Sequence, residues 1–112
     1  MEENNFFEKV YSVVRKIPEG KLTSYGAIAK YIGAPKSARM VGYAMNSSHN
    51  LGIPAHRVLN RNGVLTGKFH FPGLNMMKNL LEAEGHKIQE DQVMNFKKVF
   101  WDPSLELPPF AT

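Results

Sequence analysis

Arg39, Tyr43 and Asn46 fall at positions i, i+4 and i+7, so a helix over this segment carries all three on one face. A guanidinium, a phenol and a carboxamide side by side suit non-covalent recognition of a polar or anionic surface. Gly42 sits beside them and has no side chain. A mid-helix glycine costs about 1 kcal/mol relative to alanine, so it calls for a reason. Close approach of the helix backbone to another surface is one; close helix–helix packing inside the domain is the other. The helix by itself leaves both open. Between Gly20 and Leu81 there is no Asp or Glu, while Lys21, Lys30, Lys36, Arg39, Arg57, Arg61, Lys68 and Lys78 all fall there. The net charge of +4 understates this asymmetry, because the acids lie towards the two ends. A long segment free of carboxylates points to a polyanionic partner, nucleic acid before others.

Other chemistry is excluded by composition. The chain has 0 Cys, which rules out disulfides, thiolate nucleophiles and thiolate zinc sites. The histidines His49, His56, His70 and His86 lack the paired spacing of a histidine zinc motif, and no metal or cofactor is expected. The first five residues are acidic and polar, unlike a secretory signal, and no apolar run approaches the ~20 residues that cross a bilayer. With 112 residues, 43% of them hydrophobic, the chain suits one globular domain. A cytoplasmic monomer with no membrane partner is expected.

The elements that must position these residues can be placed. Phe6, Phe7, Val10, Val13, Val14 and Ile17 recur at helical spacing, with Asn5 as N-cap and Pro18-Glu19-Gly20 as terminator. A second helix spans about 24–32, capped by Thr23 or Ser24 and stopped by Gly33. Ser37 caps a third, running to about Asn46, with Met40, Val41, Ala44 and Met45 on its buried side. Two helices joined by a short glycine-containing turn have helix-turn-helix spacing. Val58-Leu59, the turn Asn60-Arg61-Asn62-Gly63, and Val64-Leu65 suggest a hairpin or a tight turn. Leu74, Met77, Leu80 and Leu81 mark a fourth helix ended by Gly85. Ile88 to Phe100 suggests an extended segment or hairpin packed back on the core. One domain over 1–103 is expected, with 104–112 a flexible tail.

Four ordered motifs carry a resemblance: Ser24-Tyr25-Gly26-Ala27-Ile28-Ala29; Lys36-Ser37-Ala38-Arg39-Met40-Val41-Gly42-Tyr43-Ala44-Met45; Ile53-Pro54-Ala55-His56-Arg57-Val58; and Leu81-Glu82-Ala83-Glu84-Gly85-His86. Together they resemble the DNA-binding domain of O6-alkylguanine-DNA alkyltransferases over roughly residues 6–88. In that family a cysteine precedes the His-Arg-Val triplet and accepts the alkyl group. Here Ala55 takes its place, and a methyl group cannot act as a nucleophile. The sequence therefore resembles the alkyltransferase-like proteins, which keep the lesion pocket without the transfer chemistry.

The resemblance implies an α/β, mostly helical, winged helix-turn-helix-like domain of the alkyltransferase C-terminal type. It implies that the third helix enters the minor groove, where Ala38, Gly42 and Ala44 suit the narrow space, and that Tyr43 and Asn46 share the DNA face. Arg39 corresponds to the finger that fills the gap left by an extruded base; Tyr25 corresponds to the residue that pushes on the 3′ phosphate. Tyr25, Pro54, Ala55, His56, Arg57, Val58 and Lys68 would line the lesion pocket, Val58 offering its backbone to the base edge and Arg57 ordering the loop. His56 and Glu84 match the pair that activates the missing cysteine, so with Ala55 they form a degenerate site. Lys68 stands near where relatives often carry arginine, with Phe69 and Phe71 as unusual neighbours. Asn46, Ser48 and Asn50 compete for the place of the family's asparagine. The implied function is non-enzymatic recognition of O6-alkylguanine in double-stranded DNA, flagging damage for nucleotide excision repair proteins. Two alternatives stay open: an alkyltransferase-type enzyme with another acceptor, such as His56, and a helix-turn-helix transcriptional regulator.

Overall fold

Apolar spacing builds the first element. α1 (Glu2–Val14) buries Val10, Tyr11, Val13 and Val14. Asn5, expected as its cap, lies inside the helix. The structure, a computed structural model, describes residues 2–110. After α1 the chain turns at Gly20, whose φ of 84° is left-handed.

Ser24 leaves the extended strand β1 (Thr23–Ser24) and caps α2 (Tyr25–Tyr31), its hydroxyl accepting from the Ala27 amide at 3.1 Å. Gly33, with φ 85°, stops α2. α3 (Ala38–Asn46) follows, with Ser37 at the cap position but making no side-chain bond there. α2 packs along α3, and α1 supports both; the Tyr11 hydroxyl donates to the Ala44 carbonyl at 2.8 Å. Val41, Ala44 and Met45 are buried, Met40 is only half-buried, and Arg39, Tyr43 and Asn46 are exposed. A helix-turn-helix therefore stands with its polar face outward.

The expected 58–65 hairpin is replaced by a different pairing. β2 (Val58–Leu59) runs parallel to β1, with Thr23 opposite Val58 and Ser24 opposite Leu59. Both β2 residues are buried, so pairing with the buried β1 places them inside the core, where a surface hairpin could not. The turn itself forms: the Asn60 side-chain oxygen accepts from the amides of Asn62 and Val64 at 2.9 and 2.8 Å. Val64 then bridges Gln92.

α4 (Met76–Ala83) ends before Gly85. β3 (Ile88–Gln89) and β4 (Gln92–Val93) form an antiparallel hairpin turned at Glu90 and Asp91, both with positive φ. α5 (Phe96–Val99) leads to Phe100, which bridges Leu22 and extends the small parallel sheet. Val10, Ile17, Ile28, Val41 and Trp101 share one core cluster, and Leu22, Leu59, Leu65, Met77 and Leu81 a second. Phe71 touches both clusters. The fold is α/β, mostly helical and winged helix-turn-helix-like.

The segment expected to be a loose tail is docked as far as it is described. α6 (Pro103–Glu106) is capped by Asp102, whose carboxylate accepts from the Ser104 amide at 2.9 Å. Leu107 and Phe110 pack against the first core cluster. Phe110 meets Tyr31 edge-on, ring centroids 5.5 Å apart, and the Tyr31 hydroxyl donates to the Pro108 carbonyl. Residues 111–112 of that expected tail lie outside the described residues. Phe110→Ala should lower stability by about 1–2 kcal/mol in denaturant titrations, less than a full core truncation because the ring is half-buried. An unchanged midpoint would show that the segment is undocked in solution.

Candidate nucleic-acid interface and base pocket

Tyr25, Ala38, Arg39, Gly42, Tyr43 and Asn46 line one open groove, joined from across the chain by Asn60 and His70. Among the described residues no Asp or Glu lines it. A Cβ added at Gly42 would meet nothing within 4 Å, so internal helix packing does not explain this glycine. The missing side chain leaves room outside the protein. Ala44, by contrast, is fully buried and belongs to the core rather than the groove.

Tyr25 forms the boundary between this groove and a narrow cleft behind it, which Ala55, Val58 and Met77 help to line. Burial raises the pKa of its phenol, and hydrogen bonding with Thr66 only partly offsets this, so the hydroxyl stays protonated. Gly67 lets the chain pass close: a Cβ there would stand 3.0 Å from the Tyr25 oxygen. Beyond the cleft lies a cavity of about 480 Å³, with Ala55, His56, Ile53, Phe71, His49 and His70 among its walls. This volume falls within the ~300–1,000 Å³ typical of small-ligand pockets. Ala55, 9% exposed, belongs to both cleft and cavity, so groove, cleft and cavity adjoin in that order through Tyr25 and Ala55.

The turn that presents Ala55 is anchored from behind. Pro54 precedes a single 3₁₀ turn over Ala55–Arg57. His56 Nε2 lies 2.7 Å from a Glu84 carboxylate oxygen, and Arg57 donates to the same carboxylate from Nε and Nη2 at 3.1 and 2.8 Å. The second Arg57 Nη donates to the Ile17 carbonyl at 2.8 Å, and the Gly20 amide donates to Glu84 at 3.0 Å. Burial works to raise the Glu84 pKa, but hydrogen bonds from Arg57, His56 and Gly20 and the adjacent His56 charge outweigh it and hold the carboxyl at about 2. His86 stands close behind, 8% exposed, its Nε2 without a hydrogen-bond partner; burial lowers its pKa, with Glu84 opposing.

The DNA-binding-domain model of 6-O-methylguanine DNA methyltransferase matches residues 5–86. The chain belongs to this family. It is 37% identical over 108 residues to alkyltransferase-like protein 1 of Schizosaccharomyces pombe, covering 92% of this chain and 100% of the relative. It is 35% identical over 103 residues to the DNA base-flipping protein of Escherichia coli, covering 89% and 77%. The structure of the S. pombe protein in complex with damaged DNA containing O6-carboxymethylguanine superposes with a TM-score of 0.80 over 89% of this chain and 97% of that one, at 37% identity.

Relative to the methyltransferases of this family, the chain lacks the nucleophile altogether: it contains no cysteine. Of the expected pocket residues, Ala55 and His56 line the cavity and Tyr25, Ala55 and Val58 the cleft, while Pro54, Arg57 and Lys68 line neither. Lys68 does not line the cavity; its amine pairs with Asp91, brought over by the β3–β4 turn, and lies 5.2 Å from the centre of the exposed Phe69 ring. Phe71, not Phe69, faces the cavity. His49 and His70 were missed by sequence reasoning, which weighed these two only against the spacing of a zinc motif. His49 stacks edge-on against Phe71 with centroids 4.6 Å apart. Burial, then the neighbouring His70, lowers its pKa. No spacing rule links these loop residues, since only the closure of the pocket brings them together. Of the three polar candidates beside α3, Asn46 faces the groove, Asn50 lines the cavity, and Ser48 is buried with its hydroxyl donating to the Met45 carbonyl at 2.6 Å.

The Glu84 network has a pH signature. Glu84 binds its proton less readily folded than unfolded, so its stabilising contribution is present above its ordinary pKa of 4.5 and is lost as pH falls towards about 2. The depressed His86 acts in the same direction, beginning below 6.5. Thermal melts should therefore drop in two stages on acidification. Glu84→Gln should cost about 3 kcal/mol at neutral pH, because Arg57 loses its counter-charge and His56 its carboxylate partner, and should remove the lower stage. A variant as stable as wild type would refute the anchoring role.

Proposed function

We propose that this protein recognises O6-alkylguanine in duplex DNA without chemical transfer, binding the minor groove through α3 and rotating the damaged base into the Ala55 cavity. The adjoining groove, Tyr25 cleft and Ala55 cavity carry this reading. Arg39 projects from the exposed α3 face, where its planar guanidinium can fill the gap left in the base stack and hydrogen-bond there. Ala38 and Gly42 keep that face low enough for a narrow groove. The protonated Tyr25 phenol presents no negative charge to a phosphate. The cavity receives the base, with imidazoles of His49, His56 and His70 available as hydrogen-bond partners and Phe71 as an apolar wall.

With a methyl group at position 55 the encounter ends in a reversible complex. That complex marks the lesion for nucleotide excision repair proteins, and the protein acts in the cytoplasm as a monomer. The relatives support this reading, since the yeast one is bound to damaged DNA and the bacterial one carries base flipping in its name. An enzymatic role for His56 is not favoured: its Nε2 is committed to Glu84.

Titration of paired duplexes with and without O6-methylguanine, followed by intact-mass analysis, tests the function. The lesion duplex should bind more tightly and the protein mass should stay unchanged. Equal affinity for both duplexes would remove lesion recognition, and one added methyl per chain would establish an enzyme.

Gly42→Ala separates binding from folding. Alanine should stabilise the helix by about 0.5–1 kcal/mol, since its Cβ meets only open space within the protein. The same methyl should weaken lesion-DNA binding, as should Arg39→Ala. Unchanged affinity with raised stability would exclude backbone approach at this position.

A further inference from the structure

A second groove lies beyond the recognition face, and none of the roles above uses it. Arg61, Asn62, Gln92, Asn95, Lys97 and Lys98 line it, on the 60–63 turn, β4 and α5. Its cations Arg61, Lys97 and Lys98 are all exposed, and none forms an ion pair among the described residues. Among the described residues no carboxylate lines it. Lys97 and Lys98 also fall outside the matched family domain, which ends at residue 86.

The groove adjoins the α3 groove across a single hydrogen-bonded turn. Asn60 lines the α3 groove while its neighbours Arg61 and Asn62 line this one. The turn between them is held by the Asn60 side chain, and the Asn62 carbonyl accepts from Gln92 Nε2 at 2.8 Å. α5 is seated against the same turn: a Cβ on Gly63 would stand 2.8 Å from the Phe96 ring, so only glycine allows this approach. Arg61, Lys97 and Lys98 are thus presented from one fixed support rather than from independent loops.

We propose that the Arg61–Lys97–Lys98 groove binds the phosphate backbone of the same DNA duplex, extending the footprint past the flipped base. The inference rests on the DNA-binding reading of α3. Free cations flanked by amide side chains, with no acid between them, match a run of phosphates and read no base. Contacts of this kind strengthen binding to damaged and undamaged DNA alike, and so set residence on DNA rather than lesion preference.

The test is a combined Arg61→Gln, Lys97→Gln, Lys98→Gln variant, with Lys97→Arg, Lys98→Arg as the charge-preserving control and thermal melting to confirm folding. Binding is titrated against O6-methylguanine and plain duplexes across a salt series. The neutral variant should bind both duplexes more weakly, by roughly tenfold per lost phosphate contact at 0.1 M salt, with the log K against log salt slope shallower by about 0.9 per contact. The ratio of lesion to plain affinity should stay at its wild-type value, and the arginine control should bind as wild type. Wild-type affinity and slope in the neutral variant would overturn the second contact while leaving the α3 reading intact. Weakening confined to the lesion duplex would also overturn it, because the groove would then act on the base. Failure of the wild-type protein to bind either duplex would overturn both readings together.

Discussion

The Glu84 carboxylate is the interaction on which the pocket depends. It receives hydrogen bonds from the Gly20 amide just after α1 and from His56 and Arg57 in the turn that carries Ala55. Arg57 passes the tie on to the Ile17 carbonyl. One nearly buried anion thus joins the end of α1, the pocket turn and the end of α4. A charge in such a place is costly unless its partners are complete, and here the bidentate guanidinium completes them. The pocket turn is a single 3₁₀ turn with little stability of its own, so this anchor sets where Ala55 stands.

The recognition face depends on a separate arrangement. α1 braces α3 from below through the Tyr11–Ala44 hydrogen bond, and Val41, Ala44 and Met45 fill the space between. The opposite face is freed for recognition. Gly42 there lowers helix stability with no packing gain inside the molecule. A fold that accepts this loss on an exposed face has its compensation outside the protein, in close contact with another surface.

Loss of the thiol changes the meaning of the same geometry. A cysteine in this place could take up an alkyl group and be consumed by it. Alanine leaves affinity and residence time as the only outputs. Under that constraint contacts away from the pocket gain weight, because nothing covalent traps the complex.

By itself the sequence determined a great deal. The spacing of Arg39, Tyr43 and Asn46 placed them on one exposed face, because helical periodicity is local. The absence of cysteine decided the missing chemistry, which needs no coordinates. Ser24 and Gly33 bounded α2 through local caps. Tertiary structure decided the rest. Val58-Leu59 joined Thr23-Ser24 instead of folding back on Val64-Leu65, because burial on a parallel partner outweighed the local turn signal. Lys68 left the pocket for Asp91, and His49 with His70 entered it, because loop side chains are placed by closure of distant segments. The final segment docked through Leu107 and Phe110 because α2 left an apolar surface that no local pattern reveals. Periodicity and composition act along the chain and can be read there; pairing, closure and docking are long-range competitions for burial, settled only when the whole chain folds.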